Sequence, residues 1–315
     1  MSGIMESVNL RTQMVGQNRL ELLLFRLYGS QIYGINVFKV KEVLNCPELT
    51  NLPQSKPVIK GVAHIRGVTT SIIDMSLAIG GPPITDTANA FVIIAEYNKT
   101  ITGFLVNRVE RIINMKWSDI LPPPKGTGKT SYLTAITKMD EKIVEIIDVE
   151  KILAEIMPTD THISEDQLTK GGTFDEQERR KVMISDDSSV ARKQIQRTIE
   201  QLGIDSVVAK DGLEALNILK KMAKKGDIHE QLIMVISDIE MPEMDGYTFT
   251  TEVRADPALA DLHILLHTSL SGVFNKAMVE KVGADNFIPK FDPDELAAAV
   301  QSQIKDSDLS DDTEE

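Results

Sequence analysis

The chain changes rhythm once. Up to about residue 155, apolar positions come in short β-branched runs separated by turn signals. "LELLLFRL" (20–27) and "QIYGINVFKV" (31–40) flank Gly29–Ser30. "AFVIIAEY" (90–97) and "ITGFLVNRVERII" (101–113) flank Asn98–Lys99–Thr100, and "YLTAITK" (132–138) and "KIVEIIDV" (142–149) flank Met139–Asp140–Glu141. Such pairs predict β-hairpins. Helical stretches are few: 36–44 reads either way, and 149–156 suits a helix that ends the domain. Many short strands with turns between them predict one or two small barrels.

From about residue 180 the runs "KVMIS", "SVVA", "LIMVIS", "HILLHT" and "NFIPK" alternate with helix-period stretches such as Val190–Leu202 and Leu213–Ala223. Strand–helix alternation predicts a parallel sheet covered on both faces. The intervening 156–180 loses apolar periodicity and gains Gly171–Gly172 and charge, as an interdomain linker does.

Composition narrows the classes. With 42% apolar and 26% charged residues the chain reads as an ordinary soluble protein. No stretch approaches the about 18 consecutive apolar residues of a membrane span, and the N-terminus lacks the basic-then-apolar pattern of a signal peptide. The single cysteine, Cys46, fits a reducing compartment and reads as an inert thiol. Residues 1–160 carry 17 Lys+Arg against 16 Asp+Glu, and residues 161–315 carry 17 against 31. Neither half has the basic excess that nucleic-acid binding wants. The last ten residues, "DSDLSDDTEE", hold six acids and no base, which predicts a disordered tail over 306–315.

"KGTGKTSYL" (125–133) imitates a nucleotide-binding loop, but the G-x-x-x-x-G-K-[ST] pattern puts its first glycine where Pro123 stands. Three consecutive prolines precede the stretch, and a strand pattern follows it where a helix N-terminus would have to face the anion. It predicts a hairpin loop. The five histidines have no metal-site spacing. His267, next to Thr268 on a strand, would face the opposite way and pack.

The chemistry concentrates in the second half. Asp186 and Asp187 follow "KVMIS", Asp238 follows "LIMVIS", Thr268 ends "HILLHT" and Lys290 ends "NFIPK". Strand C-termini of a parallel sheet meet along one edge, where ligands bind. Three carboxylates, a hydroxyl and an ammonium thus converge. Crowded carboxylates repel, a divalent cation relieves them, and an oxygen-rich site suits Mg²⁺. One carboxylate could then attack a phosphoryl group and form an acyl phosphate.

The stretches "MISDDSS", "VISDIEMPEMDGY", "HTSLSG" and "NFIPK" resemble the receiver domain of response regulators, a doubly wound flavodoxin-like (β/α)5 fold with strand order 2-1-3-4-5. The resemblance implies Asp238 as the phosphorylated residue. It implies Asp187 and Asp238 as direct Mg²⁺ ligands, Asp186 assisting through water, and Glu240 offering its backbone carbonyl. Thr268 and Lys290 would contact phosphoryl oxygens, and Phe287 would be the switch aromatic. In that family a proline follows the lysine through a cis bond. Here Pro289 precedes Lys290 and Phe291 follows. A cis bond before a non-proline costs about 2.5–4 kcal/mol, which predicts a loop that runs differently and shifts the ammonium.

No catalytic set assembles in residues 1–160. "FRLYGSQIYGINVFKVKEVLN" and "LTNLPQSKPVIKGVAHIRGVTTSIIDM" resemble the CheW-like coupling domain, whose fold is two small five-stranded β-barrels. Joined to a receiver, the arrangement resembles CheV-type chemotaxis coupling proteins. The expected division is a coupling domain over 15–158, a linker over 159–178, a receiver over 179–305 and the acidic tail. The resemblance implies cytoplasmic contacts with methyl-accepting chemoreceptors and a CheA-type histidine kinase, through Val40, Glu42 and Arg66. It implies an adaptor regulated at Asp238, with autodephosphorylation as its sole catalysis. A phosphate sink draining the kinase is the alternative. A third reading, a regulator with an enzymatic or DNA-binding output, is disfavoured by the near-neutral first half.

Overall fold

The computed structural model describes residues 19–97, 100–116, 119–123, 132–157, 161–170, 180–268 and 279–311. They fall into two compact units divided between Met157 and Thr161. The stretch 124–131, with most of the glycine–lysine loop, lies outside the described residues, as do residues 15–18, 171–179 and 312–315.

The first unit contains β1 (Arg19–Arg26), β2 (Ile32–Asn36), β3 (Val40–Asn45), β4 (Ile59–Ile65), β5 (Val68–Asp74), β6 (Phe91–Tyr97), β7 (Thr100–Val106), β8 (Arg108–Lys116), β9 (Leu133–Met139), β10 (Lys142–Ile147) and helix α1 (Val149–Ile156). The strands form two five-stranded sheets, ordered β8-β1-β2-β10-β9 and β3-β6-β7-β5-β4. The three expected hairpins are present as antiparallel pairs. The Asp140–Glu141 turn has positive φ at both residues (47° and 60°), as a two-residue turn matching the strand twist requires.

Two readings of this half are corrected. The ambiguous 36–44 is a 3-10 turn (Val37–Lys39) running into β3. The run 101–113 is two strands in different sheets. It breaks at Asn107, whose N–H donates to Arg26 O at 3.0 Å and whose side-chain amide donates to Leu27 O. The chain therefore leaves one sheet to join the other.

Helix α1 starts with a conflict of charge. Asp148 caps it, accepting from Lys151 N–H at 2.9 Å, while buried Glu150 pairs with Lys39 at 2.9 Å. Burial, and then the Glu150 charge, push the Asp148 carboxyl above its ordinary value. A carboxyl raised on folding costs stability as pH climbs from its unfolded value of about 4 through the folded one. Asp148→Asn keeps a capping oxygen and removes the charge. It is expected to raise the melting temperature by a few degrees at pH 7, a gain that vanishes near pH 4, measured by thermal unfolding.

The second unit contains α2 (Glu165–Lys170), β11 (Lys181–Ser185), α3 (Ser189–Gln201), β12 (Ser206–Ala209), α4 (Gly212–Ala223), β13 (Leu232–Ser237), α5 (Gly246–Ala255), β14 (Ile264–Thr268), β15 (Asn286–Pro289) and α6 (Pro293–Asp311). Its sheet is wholly parallel, in the order β12-β11-β13-β14-β15 expected of a receiver. Both faces are covered. Met183, Val235 and Leu266 pack with α4 and α5, and their neighbours Ile184, Ile236 and Leu265 pack with α3 and α6. This is the period-two alternation of a doubly buried strand. Pro289 lies on edge strand β15, where its missing N–H is tolerated.

Part of the expected linker is built into this unit. Ile163 is buried in the α3–α6 core, its N–H donates to Gln201, and Gln167 bonds Gln301 of α6 at 2.8 Å. One buried apolar side chain in a polar stretch is a weak periodic signal, yet with these hydrogen bonds it anchors the segment. The disordered-tail reading is corrected for 306–311: α6 continues to Asp311, with no Gly or Pro in that stretch to stop it.

Candidate functional site

Not every acid at the sheet's C-terminal edge is available for chemistry. Asp211 and Asp245 cap α4 and α5, accepting from Glu214 and Thr248 N–H at 2.7 and 2.8 Å. Asp186, Asp187 and Asp238 project from the ends of β11 and β13, each offering an oxygen within 4.8 Å of the others'. Asp186 and Asp238 are buried and Asp187 is partly so.

Their contacts leave a pocket of negative charge. Asp186 Oδ1 accepts from Ser188 N–H at 2.8 Å. Asp238 Oδ1 accepts from Ile239 N–H at 2.7 Å. Buried Lys290 places Nζ 2.6 Å from Asp186 Oδ2 and 2.7 Å from Asp238 Oδ2. One ammonium against three carboxylates leaves a formal charge of about −2 where burial makes charge costly. Nearby on α5, burial and the charges of Asp245 and Glu240 raise the Tyr247 phenol well above its ordinary value. An all-oxygen donor set with a formal charge of about −2 fits a hard divalent cation such as Mg²⁺.

The displaced ammonium expected from the Pro-Lys-Phe order is corrected. The Lys290–Phe291 peptide is cis, Lys290 N–H donates to Thr268 O at 2.9 Å, and Nζ reaches both carboxylates. Thr268 is the buried last residue of β14, one strand over from Asp238. Phe287, on β15, is half-buried against the α4–α5 core. Glu240 follows Ile239 in the loop leaving β13.

Two supporting positions were not foreseen. Arg192 of α3 donates to the Asp186 carbonyl. Gly246 lies against the loop it follows: a Cβ there would stand 2.2 Å from the Asp238 carbonyl oxygen, and its N–H donates to Ile239 O at 2.8 Å. The Asp-Gly pair in "EMDGY" was the available signal for close backbone approach. Gly246→Ala is expected to destabilise the second unit by about 3 kcal/mol, measured by urea unfolding, and to weaken Mg²⁺ binding through the shifted Asp238.

In the first unit, Arg66 and Gly67 form the β4–β5 turn with φ of 49° and 86°. Arg66 donates to Glu42 through Nε at 2.9 Å and Nη2 at 2.7 Å, and the pair holds the Glu42 carboxyl below its usual range. β3 and β4 are opposite edges of their sheet, so the sheet curls until the pair bridges them. Arg66 is 79% exposed and Glu42 25%, whereas Val40 packs partly into the core. Two of the three candidate partner residues are thus brought together at the surface.

Comparison with known proteins agrees with both units. Residues 21–157 match the CheW-like domain and residues 182–301 the response regulator receiver domain. Chemotaxis protein CheV3 of Helicobacter pylori is 32% identical, over 92% of this chain and 96% of its own. CheV2 of the same organism is 27% identical over 87% and 91%. Chemotaxis protein CheW of Klebsiella aerogenes is 30% identical over 49% of this chain and 92% of its own. Joining a CheW-like domain to a receiver, and matched over nearly its whole length, the chain belongs to the CheV family of chemotaxis proteins.

Proposed function

We propose that this protein is a cytoplasmic adaptor that couples chemoreceptors to a CheA-type histidine kinase and is tuned by phosphorylation of Asp238. The observation that carries the reading is the buried cluster of three carboxylates and Lys290, in one chain with a CheW-like domain. Among the described residues no helix is long and apolar enough to cross a membrane.

Asp187 and Asp238 would hold Mg²⁺ directly, with Asp186 through water and the Glu240 carbonyl completing the donors. The cation supplies neutralisation of phosphoryl oxygen charge. A carboxylate oxygen of Asp238 attacks phosphorus, the P–N bond of the donor phosphohistidine breaks, and its electron pair returns to the imidazole. Lys290 Nζ then exchanges the Asp238 oxygen for a phosphoryl oxygen, and Thr268 Oγ1 donates to another. Phe287 responds to that rearrangement and reports it along the β15 face, shifting a two-state equilibrium. Attack by water returns carboxylate and inorganic phosphate.

Val40, Glu42 and Arg66 form the contact with receptor and kinase. Arg66→Ala is expected to weaken co-sedimentation with receptor–kinase assemblies about tenfold while leaving Asp238 labelling intact. To test the whole reading, wild type and Asp238→Asn are compared in reconstituted assemblies with and without beryllium fluoride. A change in kinase output confined to fluoroberyllate-treated wild type supports tuning. Equal output with altered phosphate flow alone indicates a sink.

A further inference from the structure

Lys290 must hold one ammonium between two carboxylates from the first residue past β15. Its backbone is fixed on one side, by the N–H bond to Thr268 O and the pairing of Pro289 with Thr268. On the other side the chain enters α6 at once, with Asp292 accepting from Glu295 and Leu296 N–H. Between these anchors stands Phe291, and its ring meets one partner of defined geometry. The buried His267 imidazole lies edge-on to it, with centroids 4.7 Å apart and planes at 81°.

We infer that His267 is a positioning residue for Lys290, acting through the Phe291 ring. His267 faces the α3–α6 side of the sheet, opposite Thr268, and lies across from Ile288 in register. Phe291 packs on that same core. Strand β14 therefore grips the β15–α6 loop twice, by the Thr268 carbonyl before Lys290 and by the His267 ring after it. The His267 and Phe291 rings bear on the β15–α6 loop that carries Lys290. Their effect is on where the Lys290 stem starts, and so on how well Nζ meets a phosphoryl oxygen. Metal binding, whose donors stand after β11 and β13, changes less.

The inference rests on the phosphoryl reading above, and the test separates the two. Full-length protein is titrated by calorimetry, first with Mg²⁺ alone and then with beryllium fluoride in saturating Mg²⁺. His267→Ala is expected to weaken fluoroberyllate binding about threefold to tenfold, the range an edge-on ring pair supports, with Mg²⁺ affinity within about twofold of wild type. His267→Phe, which restores a flat ring, returns fluoroberyllate affinity to near the wild-type value. Phe291→Leu, which keeps apolar bulk if the alanine variant does not fold, reproduces the loss, and combining it with His267→Ala adds little. Equal loss of Mg²⁺ and fluoroberyllate affinity would mean a merely structural role and overturn the inference. So would wild-type affinity in His267→Ala, or independent effects of the two substitutions. Wild type that binds no fluoroberyllate would sink the phosphoryl reading itself, and the positioning role with it.

Discussion

Asp238→Asn is expected to lower phosphate incorporation from a phosphorylated kinase by about a hundredfold or more. The substitution keeps shape and the bond from Ile239 N–H, but an amide has no anionic oxygen to attack phosphorus. The neighbours do not replace it. Asp186 has one oxygen held by Ser188 N–H and the other by Lys290. The measurement is radiolabel retained after matched incubation with Mg²⁺. Label persisting at wild-type level on the asparagine variant would remove Asp238 from its role.

The second large effect is on stability. Lys290 is fully buried among carboxylates, so Lys290→Met preserves the stem's length and apolar packing while stripping out the compensating charge. Breaking a buried pair from one side costs about 3–5 kcal/mol. In chelator the second unit of the variant is therefore expected to unfold at much lower urea than wild type. Millimolar Mg²⁺ is expected to restore part of the loss, and to stabilise the variant more than wild type, because the cation meets a formal charge of −3 instead of −2. Urea unfolding of both proteins, in chelator and in Mg²⁺, reads this out. Indifference of the variant to Mg²⁺ would mean that the carboxylates do not bind it.

The second unit was almost wholly legible in the sequence. Its strands are short apolar runs, and at β11, β13, β14 and β15 a polar residue of the candidate site stands at the C-terminal end or directly after it, so the pattern that marks the fold also marks the site. The first unit was less so. "VTTSIID" is too polar to announce β5, and β3 hides behind a 3-10 turn whose residues share its apolar character. The switch of sheets at Asn107 depends on hydrogen bonds to Arg26 and Leu27, some 80 residues earlier, which no local pattern encodes. Gly246 was visible as a turn residue, but the close approach that makes glycine necessary exists only in three dimensions. The same holds for Phe291. Its place after Lys290 suggested a disturbed loop, whereas ring packing on His267 and anchorage to Thr268 keep the ammonium between its carboxylates.

The central claim is that Asp238, and no other group, takes the phosphate when Mg²⁺ is present. Borohydride reduces an acyl phosphate to the alcohol, so trapping the phosphorylated protein and sequencing its peptides by mass spectrometry reads the site directly. The account predicts homoserine at position 238 in Mg²⁺, and unmodified aspartate there in chelator. Homoserine at Asp186 or Asp187 instead, or reduction at no carboxylate, would contradict it.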